Sequence, residues 1–287
     1  MTRKFADCAR HRAVTCFFLA LIACSPGISQ PLTAGQIFDR MLRVYATAQT
    51  YQDKGIVTTN FYKPGSAELQ NQIKRIGTTA YDRRTDRFRF QYEEVTSFFG
   101  LPNRYLIWSD GKSAKSWWTM GDSVNYDTSL SEELSAATGV SGTLSRKISG
   151  LLLTDTICAG WGIDSLCQLT YLGTGTLGSR LCYRLSGHFR GDQTARLWID
   201  QKTFLILGID ESTIKLPNDV GVSMSIRYEP TVNRPVADEA FVFDPPRYFW
   251  LWFRPVLKSV LSLVGYILIF YGLRRFRKSR SASPTVA

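Results

Sequence analysis

Arg87-Phe88-Arg89-Phe90-Gln91-Tyr92 decides the fold class. Phe88, Phe90 and Tyr92 fall on one side of an extended chain and Arg87 and Arg89 on the other, the period of a strand with one buried face. The same alternation returns near the far end of the chain. There Val222, Met224, Ile226 and Tyr228 interleave with Ser223, Ser225 and Arg227. Between these stretches lie β-rich runs bounded by turn residues. Ile56 to Tyr62 stops at Lys63-Pro64-Gly65, and Ile73 to Tyr81 follows. Arg104 to Trp108 and Ala114 to Met120 flank Ser109-Asp110-Gly111-Lys112, a hairpin signal. Leu166 to Leu172, Arg180 to Phe189, Thr194 to Asp200 and Phe204 to Thr213 also read as strands, and Phe241-Val242-Phe243 as a last short one. Short turns between such runs favour one antiparallel sheet, curled into a barrel or half-barrel, over any parallel arrangement.

Two other patterns interrupt the strands. After Thr33, a candidate N-cap, Ile37, Phe38, Met41, Leu42, Tyr45 and Ala48 recur at helical spacing, so a helix is expected over about Ala34 to Thr50. Leu130 to Thr138 and Ser145 to Leu153 read as short helices or a covering loop. The expected class is mainly β (α+β): a curved antiparallel half-barrel with an N-terminal helix and short covering helices.

Apolar runs mark both ends. Ala13 to Ala23 follows Arg3, Lys4, Arg10 and Arg12 and reads as a secretory leader occupying residues 1–29. Leu21-Ile22-Ala23-Cys24 also fits a lipobox, with the cut after Ala23 and Cys24 lipid-modified; cleavage near Ser29 is the competing reading. Residues 250–273 are long enough for a transmembrane helix, with Trp250 and Trp252 at its interface. Residues 274–287 begin with Arg274, Arg275, Arg277, Lys278 and Arg280 and would form a basic cytoplasmic tail. This order makes residues 30–248 the exported domain, held at the outer face of the cytoplasmic (inner) membrane.

The net charge of +11 could suggest nucleic acid. The leader, the tail, Arg254 and Lys258 together hold nearly all of that excess, so the middle of the chain is close to neutral and nucleic acid is not an expected partner. With His11 in the leader, His188 is the remaining histidine, which excludes a multi-histidine metal site. Its expected place in a strand, with no nucleophile motif nearby, speaks against a Ser-His-Asp triad. Gly173-Thr174-Gly175-Thr176-Leu177-Gly178 matches the dinucleotide fingerprint, but a strand follows it where a helix is required, so it reads as a glycine-rich hairpin with its turn near Gly175. Glu93-Glu94 and Glu132-Glu133 lack the spacing of an acid–base couple. No catalytic residue, metal ligand or cofactor is expected.

Cys8 and Cys16 fall in the leader; Cys158, Cys167 and Cys182 fall in the exported domain. Cys158 and Cys167 flank Gly160-Trp161-Gly162 and are the favoured disulfide candidate; three free or buried thiols are the other reading.

One apolar face under a helix would enclose an elongated hollow. Its candidate lining is Phe61, Phe88, Phe90, Tyr92, Tyr105, Leu197, Val222, Met224, Ile226 and Tyr228. The other reading is that aromatic side chains simply fill the interior.

Several stretches resemble a known family. The helix Ile37 to Tyr51 leading into Gly55-Ile56-Val57-Thr58-Thr59 is similar to the start of the periplasmic lipoprotein-carrier (Lol carrier) superfamily. Cys182-Tyr183-Arg184-Leu185 followed by Ala195-Arg196-Leu197-Trp198-Ile199-Asp200 and Thr203, and Phe241-Val242-Phe243-Asp244-Pro245-Pro246, resemble later parts of it. The likeness covers about Thr33 to Pro246 and is nearest to uncharacterised predicted periplasmic members. It implies a half-barrel whose apolar face holds a lipid or lipoprotein acyl chain, by binding and not by catalysis. The C-terminal span departs from the soluble sorting carrier and implies a fixed acceptor, a lipid chaperone at the membrane, or a sensor. The expectation is a membrane-tethered periplasmic lipid or lipoprotein acyl-chain binding protein, with the cytoplasmic membrane as neighbour. The alternative is an envelope sensor or interaction module with a filled core, contacting another envelope protein.

Overall fold

The computed structural model describes residues 31–94, 103–121, 123–141, 143–153, 162–189, 193–215, 219–245, 256 and 259–271, without the side chains at 127–128 and 213–215. Cys24, Cys158 and the basic tail lie outside the described residues.

Helix α1 (Ala34–Thr47) opens on the expected cap. Thr33 Oγ1 accepts from the Gln36 backbone N–H at 3.2 Å, and the Gln36 side chain accepts from Thr33 N–H at 2.9 Å. This capping box satisfies two otherwise orphaned donors. The helix buries Ile37, Phe38, Met41 and Tyr45. It stops at Thr47 because Ala48 is extended and Thr50 pairs with Asp82 in the sheet. Ladder pairing takes the residues that helical spacing assigned to a last turn.

Twelve strands follow: β1 (Thr50–Tyr62), β2 (Leu69–Asp82), β3 (Arg87–Glu94), β4 (Arg104–Ser109), β5 (Ala114–Trp118), β6 (Ser123–Thr128), β7 (Cys167–Leu177), β8 (Arg180–His188), β9 (Thr194–Asp200), β10 (Ile206–Lys215), β11 (Gly221–Tyr228) and β12 (Thr231–Val232). They form one antiparallel sheet in the order β6-β5-β4-β3-β2-β1-β11-β10-β9-β8-β7, with β12 added beside β1. The sheet is open, because β6 and β7 are its two ends. Phe241-Val242-Phe243 is not a strand. Residues Asp238–Phe241 form a 3-10 turn, and the segment lies on the face of the sheet instead of pairing at an edge.

The order explains the helices in the middle of the chain. Strands β1 to β6 run outward one way and β11 to β7 the other, joined where β1 pairs β11 from Gly55↔Tyr228 to Phe61↔Val222. The connection from β6 to β7 therefore has to cross the whole sheet. It does so as α2 (Leu130–Ser141), α3 (Leu144–Lys147) and α4 (Ser149–Leu152), laid with α1 over the apolar face. Leu144 sits on Gly77 of β2, and Lys147 reaches Glu211 of β10.

Residues 259–271 are helical and exposed. Among the described residues no helix is long and apolar enough to cross a membrane. Most of the remainder of the expected 250–273 span lies outside them.

Candidate functional site

Alternation gives the sheet a covered face and an outer face. Phe88, Phe90 and Tyr92 of β3, Tyr105 of β4, Leu197 of β9, and Ile226 and Tyr228 of β11 are all buried in one cluster on the covered face. They pack with Ile37, Met41 and Tyr45 of α1 and with Leu134, Leu144 and Ile148 of the crossing segment. Met224 packs against this cluster from a partly buried position. Phe61 and Val222 do not join it; they face each other across the β1–β11 pair and are partly exposed. The covered face is therefore occupied by the chain's own side chains over the span of most of the candidate lining.

Polar groups lie beneath the cover as well. The Tyr105 hydroxyl donates to Glu133 Oε2 of α2 at 3.0 Å, and Glu133 is buried. Burial pushes the Tyr105 hydroxyl up to about 12. Lys147 of α3 and Glu211 of β10 form an ion pair, both almost fully buried, and Gln193 Nε2 donates to the second Glu211 oxygen at 2.9 Å. The Lys147 ammonium also sits 4.3 Å from the centre of the Phe189 ring.

On β1, Asp53 points into the core. It accepts from the Tyr51 hydroxyl at 2.7 Å and from the Thr79 backbone N–H at 2.9 Å. Burial raises its carboxyl to about 6 against an ordinary 3.8, and hydrogen bonds from the Tyr51 side chain and from the backbone and side chain of Thr79 offset part of that rise. The Tyr228 hydroxyl beside it is buried with no hydrogen-bond partner among the described residues. The Tyr45 hydroxyl accepts from the Ile206 backbone N–H at 3.0 Å, tying α1 to β10.

Sequence reasoning did not single out Asp53, Glu133, Lys147 or Glu211 as buried charges. The signal for Asp53 was present: in Tyr51-Gln52-Asp53-Lys54-Gly55-Ile56-Val57 the acid occupies an inward position of the alternation. The helical residues Glu133 and Lys147 carry no such signal, because what buries them is the path across the sheet.

Two clefts open beside the core. One of about 310 Å³ is lined by Tyr81, Asp86, Ser109, Lys112 and Leu130. The other, about 340 Å³, lies between α1 and α4 and is lined by Leu42, Ala46, Arg83, Asp164 and the Leu151–Leu153 run. None of the ten candidate lining residues borders either cleft.

Cys167 is an exposed free thiol and Cys182 a buried one. The β7–β8 turn sits at Gly178 (φ 60°), not near Gly175, so Cys182 faces Gly175 and Cys167 faces His188. The positive φ that a tight turn demands is met by the last glycine of the run. The Cys167 thiol donates to the His188 backbone oxygen at 3.3 Å, while the His188 ring lies 3.4 Å from the Thr194 hydroxyl. Among the described residues no group of three His, Cys, Asp or Glu could hold a metal ion.

No family model matches the chain, and no curated protein does. Solved structures share a distant likeness. MucB aligns with a TM-score of 0.40 at 11% identity, over 74% of this chain and 62% of MucB. The MucA/MucB complex of Pseudomonas aeruginosa aligns at 0.39 and 10%, over 73% of this chain and 61% of that one. A conserved uncharacterized protein of Thermus thermophilus aligns at 0.40 and 10%, over 74% and 94%. The chain thus spans somewhat under two thirds of the MucB chains.

Proposed function

We propose that this chain is a non-catalytic interaction module of the bacterial envelope, exported by its leader and tethered by its C-terminal apolar segment. The observation that carries this reading is the filled covered face. Phe88, Phe90, Tyr92, Ile107, Ile226, Met41, Tyr45, Leu134 and Ile148 pack there at 1% exposure or less. A protein that carries an acyl chain in that space needs room for it; here the chain's own helices fill it, pinned by buried polar bonds. The surface left for function is then the outside of the sheet, where a partner protein can dock.

Lipid binding is the second reading. The cleft between α1 and α4, with its leucines and Leu42, favours it, since its volume is within the range of small-molecule sites. Native mass spectrometry on the full chain released from detergent separates the two. A mass equal to the polypeptide, with a protein recovered by cross-linking in the membrane, is the expected result. A bound phospholipid or fatty-acid mass, lost on organic extraction, would overturn it in favour of lipid binding.

A further inference from the structure

The outer face of the sheet carries an acidic, aromatic peptide already, and it is the chain's own. Residues 238–243 run over β3 and β4. Asp238 pairs with Arg87 at 2.8 Å, the Arg87 guanidinium stacks 4.5 Å above the Phe241 ring, and Arg89 donates to the Ala240 carbonyl at 3.5 Å. Trp108 donates its indole N–H to the Phe241 carbonyl, and its ring lies 6.3 Å from that of Phe243. The recognition chemistry is plain: arginines for the carboxylate and carbonyls, a tryptophan for the aromatic rings.

The other half of the outer face repeats this equipment, and no described segment lies on it in the same way. Register places Arg184, Trp198, Gly208, Arg227 and Ile56 in one row across β8, β9, β10, β11 and β1. The Trp198 indole lies down on the sheet because Gly175 and Gly208 leave the space; a methyl group at either would come within 3.3 Å of the ring. Arg184 stands 5.8 Å from the centre of that ring. Asp210 accepts from the Trp198 indole N–H at 2.7 Å and pairs with Arg227 at 2.6 Å, fixing both. Arg196 and Lys74 are exposed neighbours, and neither pairs with a carboxylate among the described residues. Ile56 is 40% exposed, an apolar step in the same row. A flat indole held by two glycines contributes little to the core, and a surplus of cations around it favours an acidic occupant.

Resting on the interaction-module reading, we infer that the Arg184–Trp198–Arg227 row is a docking surface for an extended acidic segment bearing aromatic side chains, supplied by a partner polypeptide.

The probe is a labelled synthetic peptide, Val236 to Pro245 of this chain, titrated into the full chain in detergent. The chain's own copy covers Arg87 and Trp108, so the added peptide reads the second surface. The expected result is saturable binding that weakens as salt rises. Arg196→Glu with Lys74→Glu should weaken it at least tenfold, and so should a peptide with Asp238→Asn, Glu239→Gln and Asp244→Asn. Both substituted side chains are exposed, so the variant should keep its circular dichroism spectrum and melting temperature. Trp198→Ala supplies a second, uncharged variant with the same expected loss. Equal binding to wild type and to both variants would overturn the assignment. Tighter binding to phosphatidylglycerol vesicles than to the peptide would also overturn it, in favour of a lipid surface. If an envelope protein cross-links equally to wild type and to the charge-reversed variant, the interaction reading stands and this surface is wrong. If none cross-links to either, the interaction reading itself fails.

Discussion

Asp53 carries a carboxyl into the apolar face of β1, with a hydroxyl and an amide as donors and no cation paired with it among the described residues. Its folded-state value of about 6 lies above the ordinary 3.8, so the folded protein holds this proton more tightly than the unfolded chain does. The stability tied to that proton is fully present below about 3.8 and is lost as pH rises through 6. At roughly 1.4 kcal/mol per pH unit the whole window is on the order of 3 kcal/mol. Asp53→Asn, which mimics the protonated acid, should raise the melting temperature at pH 7.5 and raise it by about half as much at pH 5. Melts at both values check this, and an equal effect at the two would refute it. Gly77 is a second residue-scale case. A methyl group there would overlap the buried Leu144 side chain of α3. Gly77→Ala should cost about 1–3 kcal/mol in urea unfolding, as overpacking does. Combining it with Leu144→Ala should cost less than the two single changes added, because the first loses the side chain it pushes against.

Among the elements, the crossing segment α2–α4 has a mixed underside. It buries Leu134, Ala137, Leu144 and Ile148 but also Glu133, Ser141, Ser145, Lys147 and Ser149. The Lys147–Glu211 pair joins this segment to β10, and breaking a buried pair costs more than replacing it whole. Lys147→Met alone should lower stability by about 3–5 kcal/mol, since it strands Glu211. Lys147→Met with Glu211→Met should recover most of that loss. Chemical denaturation of the two singles and the double closes the cycle; a double variant as unstable as the worse single would contradict it. Leu130 to Thr138 and Ser145 to Leu153 read from the sequence as short helices or a covering loop; they fold as helices, with boundaries close to those stretches. Their role was not legible. A buried Lys on a four-residue helix has no local signature, because its partner Glu211 lies several strands further along the chain. The N-terminal helix was legible down to its cap, since Thr33 and Gln36 are three residues apart and satisfy each other locally.

Over the whole molecule, the residues near position 240 brace the sheet from outside. Phe241 is buried against β3 and β4, while Asp238 is 83% exposed. Phe241→Ala should therefore cost about 3–5 kcal/mol, and Asp238→Ala less than about 1 kcal/mol; thermal unfolding ranks the two. The reverse ranking would mean that charge and not packing holds this segment down. Ten of the twelve strands, most of their inward residues and their mostly short antiparallel connections were readable from the chain alone, because side-chain alternation and turn chemistry act over a few residues; β6 and β12 were not read as strands. Phe88, Phe90 and Tyr92 face inward as their spacing requires. The closing pair β1–β11, in contrast, joins residues near 58 to residues near 225, and it emerges only in the folded molecule. That pairing puts β6 and β7 at opposite edges, forces the connection between them over the apolar face, and so fills the hollow that alternation alone leaves empty. It also turned Phe241-Val242-Phe243 from an expected strand into a brace, since β2 already holds one side of β1, and β11 and β12 together hold the other. Local periods fix which way a side chain points; which surface it then meets depends on contacts distant in sequence, and no short stretch encodes them.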